Sequence, residues 1–251
     1  MALYAAYRNE LSKLILRKKY IVFLIFGALV CIIWVALAGV ASNLVGQFGG
    51  VFINLMPTPT GVLPFFLRFI IPLLIFMSVT DLITAEGAEN TMKAMLCRPV
   101  ERWKLYTGKL LAVLTYTAIY LVCVFVVSAV LNQSLSRTLD FRELLSAFLS
   151  YGLSILPLAV LISFAAFVAL FGRSTTLTML SLIALFFVMN ILPIIFPIFN
   201  ELLFTAYLGW HRLWIGVLPE ATRLIHSLII LISYGVVFYM AGSLVFERKE
   251  Y

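Results

Sequence analysis

The chain has 251 residues, of which 63% are hydrophobic and 12% charged; its formal net charge is +7 and its mean hydropathy +1.10. Soluble domains are about half apolar and a quarter charged, so this composition excludes an ordinary soluble fold and leaves a membrane protein. The basic residues are scattered along apolar boundaries, which argues against nucleic acid as a partner. Cys31, Cys97 and Cys123 are too dispersed for a disulfide framework or a metal cluster.

In chain order, residues 1–19 predict an amphipathic interfacial helix. Leu3, Tyr4, Tyr7, Leu11, Leu14 and Ile15 recur at helical spacing, opposite Arg8, Asn9, Ser12, Lys13 and Arg17. Six segments then reach the ~20 apolar residues that a ~30 Å hydrocarbon core requires. They are Tyr20–Val45, Val62–Ile83, Tyr106–Leu131, Leu144–Phe171, Thr176–Phe199 and Leu224–Phe246. Each is apolar all round and too long for a barrel strand. The expectation is an all-α, polytopic membrane protein forming one domain over 1–251. Its first segment reads as an uncleaved anchor rather than a signal peptide.

Between the second and third segments lies a charged island, Glu86 to Lys109, holding Glu86, Glu89, Lys93, Arg98, Glu101, Arg102, Lys104 and Lys109. A residue before proline avoids the helical region, so a helix from about Thr84 should stop near Cys97 or Arg98. Pro99 then suits the first turn of a second helix running through Trp103. The segment 84–105 therefore predicts a helical hairpin, with Met92, Met95, Leu96, Val100 and Trp103 as apolar anchors among charges. Two readings stand: a protein-docking surface with Trp and Arg as its strongest contacts, or a solvated loop on headgroups.

The stretch 197–223 is too polar for a span and too apolar for a solvated loop. It reads either as a short re-entrant pair buried in protein or as an interfacial aromatic belt. Arg68 within the second segment either snorkels outward or faces a cavity and attracts anionic groups on a substrate. Asp81, near the inner end of that segment, is expected among headgroups.

Basic residues mark the cytoplasmic flanks. One set of flanks holds Arg8, Lys13, Arg17, Lys18, Lys19, Lys93, Arg98, Arg102, Lys104, Lys109, Arg173, Arg248 and Lys249. The other holds Arg137, Arg142, Arg212 and Arg223. Both termini and the island are thus expected in the cytoplasm of a cell carrying this chain in its plasma membrane.

Catalytic patterns are lacking. His211 and His226 are isolated, and Gly152-Leu153-Ser154 lacks the second glycine of a nucleophile elbow. Thr107-Gly108-Lys109 lacks the rest of a phosphate-binding loop. No catalytic, cofactor-binding or metal-binding residue is expected. If ATP drives this protein, another chain binds it.

The run Thr91-Met92-Lys93-Ala94-Met95-Leu96-Cys97-Arg98-Pro99-Val100-Glu101-Arg102-Trp103-Lys104, followed by Gly108-Lys109-Leu110-Leu111-Ala112, resembles the intracellular segment of type-2 ATP-binding-cassette (ABC) permeases. The start, Glu10-Leu11 with Lys13-Leu14 and Arg17-Lys18, and the end, Phe246-Glu247-Arg248-Lys249-Glu250, are similar to that family's termini. Asn90 stands where the family often has glycine. The resemblance implies an N-terminal elbow helix, a cytoplasmic coupling helix in the island and outer re-entrant helices before the sixth span. It also implies a paired permease subunit, identical or related, and two separate ABC ATPase subunits that hold ATP and Mg. Their contact would fall on Arg98, Pro99, Val100, Glu101, Arg102 and Trp103, supported by Glu86 and Glu89. The function implied is ATP-driven export of a hydrophobic or amphipathic substrate, such as an antimicrobial peptide or lipid-like molecule. The rival readings are a secondary transporter and a membrane immunity or receptor protein that does not transport.

Overall fold

The computed structural model describes residues 2–48, 58–88, 101–136, 141–214 and 221–249, with no strand among them. Six helices among these residues are long and apolar enough to cross a membrane: Lys18–Ala38, Pro59–Ala85, Arg102–Ser134, Phe141–Ala169, Thr175–Ile195 and Leu224–Arg248. Each overlaps the segment expected from hydropathy. The all-α, six-span architecture is therefore confirmed.

The second span is the core of the bundle. Its most apolar window is 67% buried, against 11% for the sixth span. Leu63, Phe66, Leu67, Ile71, Leu74, Ile75 and Phe76 all pack inside. This span is wound irregularly, and two prolines flank the first irregular turn. Pro64 and Pro72 each lack the N–H that would bond four residues back. Between them the helix widens into a π turn at Phe66–Ile70, closed by the Ile71 N–H donating to the Phe66 carbonyl. A second π turn follows at Thr80–Ala85.

The N-terminal helix, Ala2–Leu16, packs along the third span. Its inward stripe differs from the sequence expectation. Glu10 and Leu14 are fully buried, and Tyr7 donates to Thr115 Oγ1 at 3.1 Å. Tyr4, Ile15 and Leu16 face outward instead. The helix presents a charged residue to the protein because charges of the opposite sign await it there. Close approach is permitted by Gly108, where a Cβ would meet the Tyr7 backbone nitrogen at 3.2 Å and the Ala6 Cβ at 3.3 Å.

At the opposite end of the bundle, one helical turn at Phe199–Leu202 and a 3₁₀ helix at Phe204–Trp214 precede the sixth span. Phe204, Thr205, Leu208, Trp210 and His211 are buried. These residues belong to the protein interior, so the interfacial-belt reading fails for them. Two prolines explain how they are held. Pro157 cannot bond the Leu153 carbonyl and Pro193 cannot bond the Met189 carbonyl. Trp210 Nε1 donates to the first at 2.9 Å and Thr205 Oγ1 to the second at 3.3 Å. Both of these carbonyls, left open by prolines in the fourth and fifth spans, thus receive a side chain from this segment.

Candidate functional site

The end of the bundle where the helix Ala2–Leu16 lies and the sixth span finishes concentrates the charges. Its centre is a ring of four side chains from three elements. Glu10 and Lys13 come from the N-terminal helix, Glu86 from the turn that ends the second span, and Lys109 from the second turn of the third span. Lys109 Nζ lies 2.5 Å from Glu86 Oε2 and 3.3 Å from Glu10 Oε2. Lys13 Nζ lies 2.8 Å from Glu86 Oε1 and 3.1 Å from Glu10 Oε1. Two ammoniums and two carboxylates leave the ring neutral.

Burial makes this ring consequential. The side chains of Lys109 and Glu10 are each 1% exposed. An isolated charge there would cost several kcal/mol in lost hydration, so each member needs its opposite. Burial pushes the Glu86 carboxyl up, yet the ammoniums of Lys109 and Lys13 outweigh it and hold the group below the usual carboxylate range.

A second cluster lies beside the first. Asp81 accepts from the Tyr20 hydroxyl at 2.6 Å, pairs with Lys19, and has Arg17 Nη1 3.9 Å away. Tyr116 in turn donates to the Tyr20 carbonyl at 2.9 Å. Asp81 is buried, contrary to the expectation that headgroups would solvate it. Arg17 and Lys19 of the basic run supply its counter-charges and so fasten the start of the first span to the second.

The predicted docking residues divide into three groups. Glu89, Arg98, Pro99 and Val100 lie outside the described residues, as does the turn expected at Pro99. Glu101, Arg102 and Trp103 form the exposed start of the third span. Trp103 Nε1 donates to Glu101 Oε2 at 2.6 Å, and Lys104 reaches Glu101 Oε1 at 2.5 Å. The hydrogen bonds from Lys104 and Trp103 hold the exposed Glu101 carboxyl below its ordinary range. Arg102 Nη1 donates to the carbonyls of Glu247 and Lys249, at 2.8 and 3.1 Å, and so ties the third span to the end of the sixth.

Glu86 is in neither group. It is 5% exposed and stands in the ring, paired with Lys13 and Lys109. Lys109, read from the sequence as part of the charged surface, is likewise interior. Sequence reasoning passed over Glu10 and Lys13 as ring members. The available signal was that Glu10 falls between Tyr7 and Leu14 on one helical stripe.

Arg68 lies on the first π turn of the otherwise buried second span, with its side chain exposed. It lines a cleft of ≈ 320 Å³ with Phe69, Phe186, Asn190, Pro193 and Thr205 among its walls. The cleft lies between the second span, the fifth span and the segment Phe204–Trp214. One guanidinium among aromatic rings and two polar side chains can receive an anionic or amphipathic group. Among the described residues no group of histidine, cysteine and carboxylate side chains has the grouping of a metal site.

Comparison with the curated proteins finds no match. The family model of the ABC-2 family transporter protein matches residues 4–251. Together with the six spans, that near-complete match shows that the chain belongs to the ABC-2 transporter family, as a multi-pass membrane permease component of an ABC transporter.

Proposed function

We propose that this chain is the permease of an ATP-driven exporter whose ATP and Mg are bound by two separate ABC ATPase subunits. A second permease subunit completes the assembly. The observation that carries this reading is the buried ring of Glu10, Lys13, Glu86 and Lys109 directly behind the exposed turn Glu101–Trp103. A force applied to that turn meets three elements locked by charges that cannot separate cheaply. It is therefore passed on to the N-terminal helix and the second and third spans.

In this reading the basic end faces the cytoplasm, by the distribution of Lys and Arg. Arg98, Pro99, Val100, Glu101, Arg102 and Trp103 form the contact with the ATPase, supported by Glu86 and Glu89. The Arg68 cleft lies on the substrate path. Its single cation and aromatic walls suit an amphipathic molecule with an anionic group, antimicrobial peptides and lipid-like compounds being the classes considered. The substrate class rests on that cleft and on the scarcity of charge in the spans.

The test is co-expression with the host's ABC ATPase subunits, followed by affinity purification and assay of hydrolysis. Trp103→Ala is expected to reduce assembly and stimulated hydrolysis at least tenfold. Arg102→Ala is less discriminating because it also frees the Glu247 and Lys249 carbonyls. If Trp103→Ala and Glu101→Ala both assemble and hydrolyse ATP as the parent does, the coupling assignment is wrong.

A further inference from the structure

At the basic end, a shallow cleft of ≈ 450 Å³ opens where the fourth, fifth and sixth spans terminate. Leu170, Phe171, Gly172, Arg173, Val245, Arg248 and Lys249 line it. Its make-up is one-sided. Three of the seven lining residues are cations, and no described carboxylate lines it. Glu247 is exposed but does not line the cleft, and Glu250 lies outside the described residues. Arg173 and Arg248 are exposed and make no hydrogen bond or ion pair within the described structure. Lys249 donates to the Leu170 carbonyl, which fixes its ammonium at the mouth.

The remaining walls are apolar. Phe171 is 64% exposed and stands beside Leu170 and Val245. Cations over an apolar wall at the ends of three spans match the two halves of a phospholipid, an anionic headgroup and the first methylenes of its chains. Basic pockets between spans are favourable sites for such headgroups. An acidic protein surface would satisfy Arg173 and Arg248 but would offer nothing apolar to Phe171, which is 64% exposed.

We infer that Arg173, Arg248 and Lys249 form a binding site for the headgroup of an anionic phospholipid. The site stands apart from the transport reading and does not depend on it. It does adjoin the coupling region, because Arg102 holds the Lys249 carbonyl. A lipid seated there would steady the same C-terminal turn that Arg102 grips.

The experiment uses the full chain purified in detergent and reconstituted in nanodiscs of phosphatidylcholine, with and without phosphatidylglycerol. Lipid retained on the protein is read by native mass spectrometry. Each surface cation contributes about a fivefold preference, so the parent chain should favour phosphatidylglycerol strongly. Arg173→Gln with Arg248→Gln should lose roughly thirtyfold of that preference. The Lys replacements at both positions should retain most of it, which separates loss of charge from loss of fold. For the parent chain alone, the preference should weaken as salt rises.

Unchanged preference in the double Gln variant overturns the inference, as does a preference in the parent chain insensitive to salt. Competition by inorganic phosphate as effective as by phosphatidylglycerol would make this an anion site and not a lipid site. Retained lipid preference with lost ATPase assembly would assign the cations to a protein partner instead.

Discussion

Replacing Lys109 by Met isolates the energetic role of the ring. The side chain is 1% exposed and faces Glu86 at 2.5 Å and Glu10 at 3.3 Å. Its removal leaves two buried carboxylates to share Lys13, which is one-quarter exposed. Breaking a buried pair in this way costs about 3–5 kcal/mol, because the remaining charge keeps its desolvation penalty. For a chain of this length that corresponds to a fall of roughly 10 °C in melting temperature, followed in detergent by far-UV circular dichroism. Adding Glu86→Gln to Lys109→Met removes the stranded charge and leaves Glu10 balanced by Lys13 at 3.1 Å. The double variant should therefore recover most of the loss. The pH dependence has a definite sign. Glu86 titrates lower in the fold than in the open chain, so its contribution is complete above the ordinary glutamate value of about 4.3 and disappears as pH falls through its lowered value. Glu86→Gln should remove that acid-sensitive component. A Lys109→Met protein that melts with the parent, or a double variant worse than the sum of its parts, would refute the clamp.

Two further outcomes follow from the other end of the bundle. His211 is 1% exposed, and burial followed by the Arg212 charge pushes its pKa down to about 4 from 6.5, against a smaller opposing pull from the Leu208 backbone. Between those values the unfolded segment binds a proton that the folded one refuses, so packing of Phe204–Trp214 should weaken by about 3 kcal/mol as pH falls across that window. Hydrogen exchange of this segment should show the loss, and His211→Phe should abolish it. Trp210→Phe strands the Leu153 carbonyl and should destabilise by about 1–3 kcal/mol. In a Pro157→Ala background the helix regains its own N–H for that carbonyl, so the same replacement should cost measurably less; equal costs in both backgrounds would disprove the pairing.

The spans were legible in the sequence because hydropathy over ~20 residues is dictated by the bilayer and needs no tertiary knowledge. The π turns of the second span were not legible, since the way a helix containing Pro64 and Pro72 is wound depends on what the neighbouring helices accept. The ring was illegible for a different reason. Glu10, Glu86 and Lys109 each look like surface charges one at a time, and their burial arises only when three elements converge. Asp81 misled in the same way: its depth suggested headgroups, whereas Lys19 and Tyr20 reach back to it across the start of the first span. For the stretch 197–223 both the re-entrant and the interfacial reading stayed open, because nothing local pairs Trp210 or Thr205 with a carbonyl that a proline has freed more than ten positions away.

The two ends of the bundle are held by forces of unequal strength, and this bears on how a permease would move. At the basic end, separation of the N-terminal helix from the second and third spans would expose unpaired charges to a low dielectric, at several kcal/mol each. At the other end, the segment Phe204–Trp214 is held to the fourth and fifth spans by neutral hydrogen bonds at Leu153 and Met189, each worth about 1 kcal/mol net. A displacement introduced at Glu101–Trp103 is thus resisted least at the far end. The prolines contribute to that difference. Pro193 removes an intrahelical bond at the cleft that Arg68 lines, so the fifth span bends there at lower cost than an unbroken helix would, and Pro157 does the same in the fourth span. Under the transport reading, the stiff charged end carries the stroke and the proline-weakened end opens. The compliant region then coincides with the Arg68 cleft, and Pro193 lines its wall.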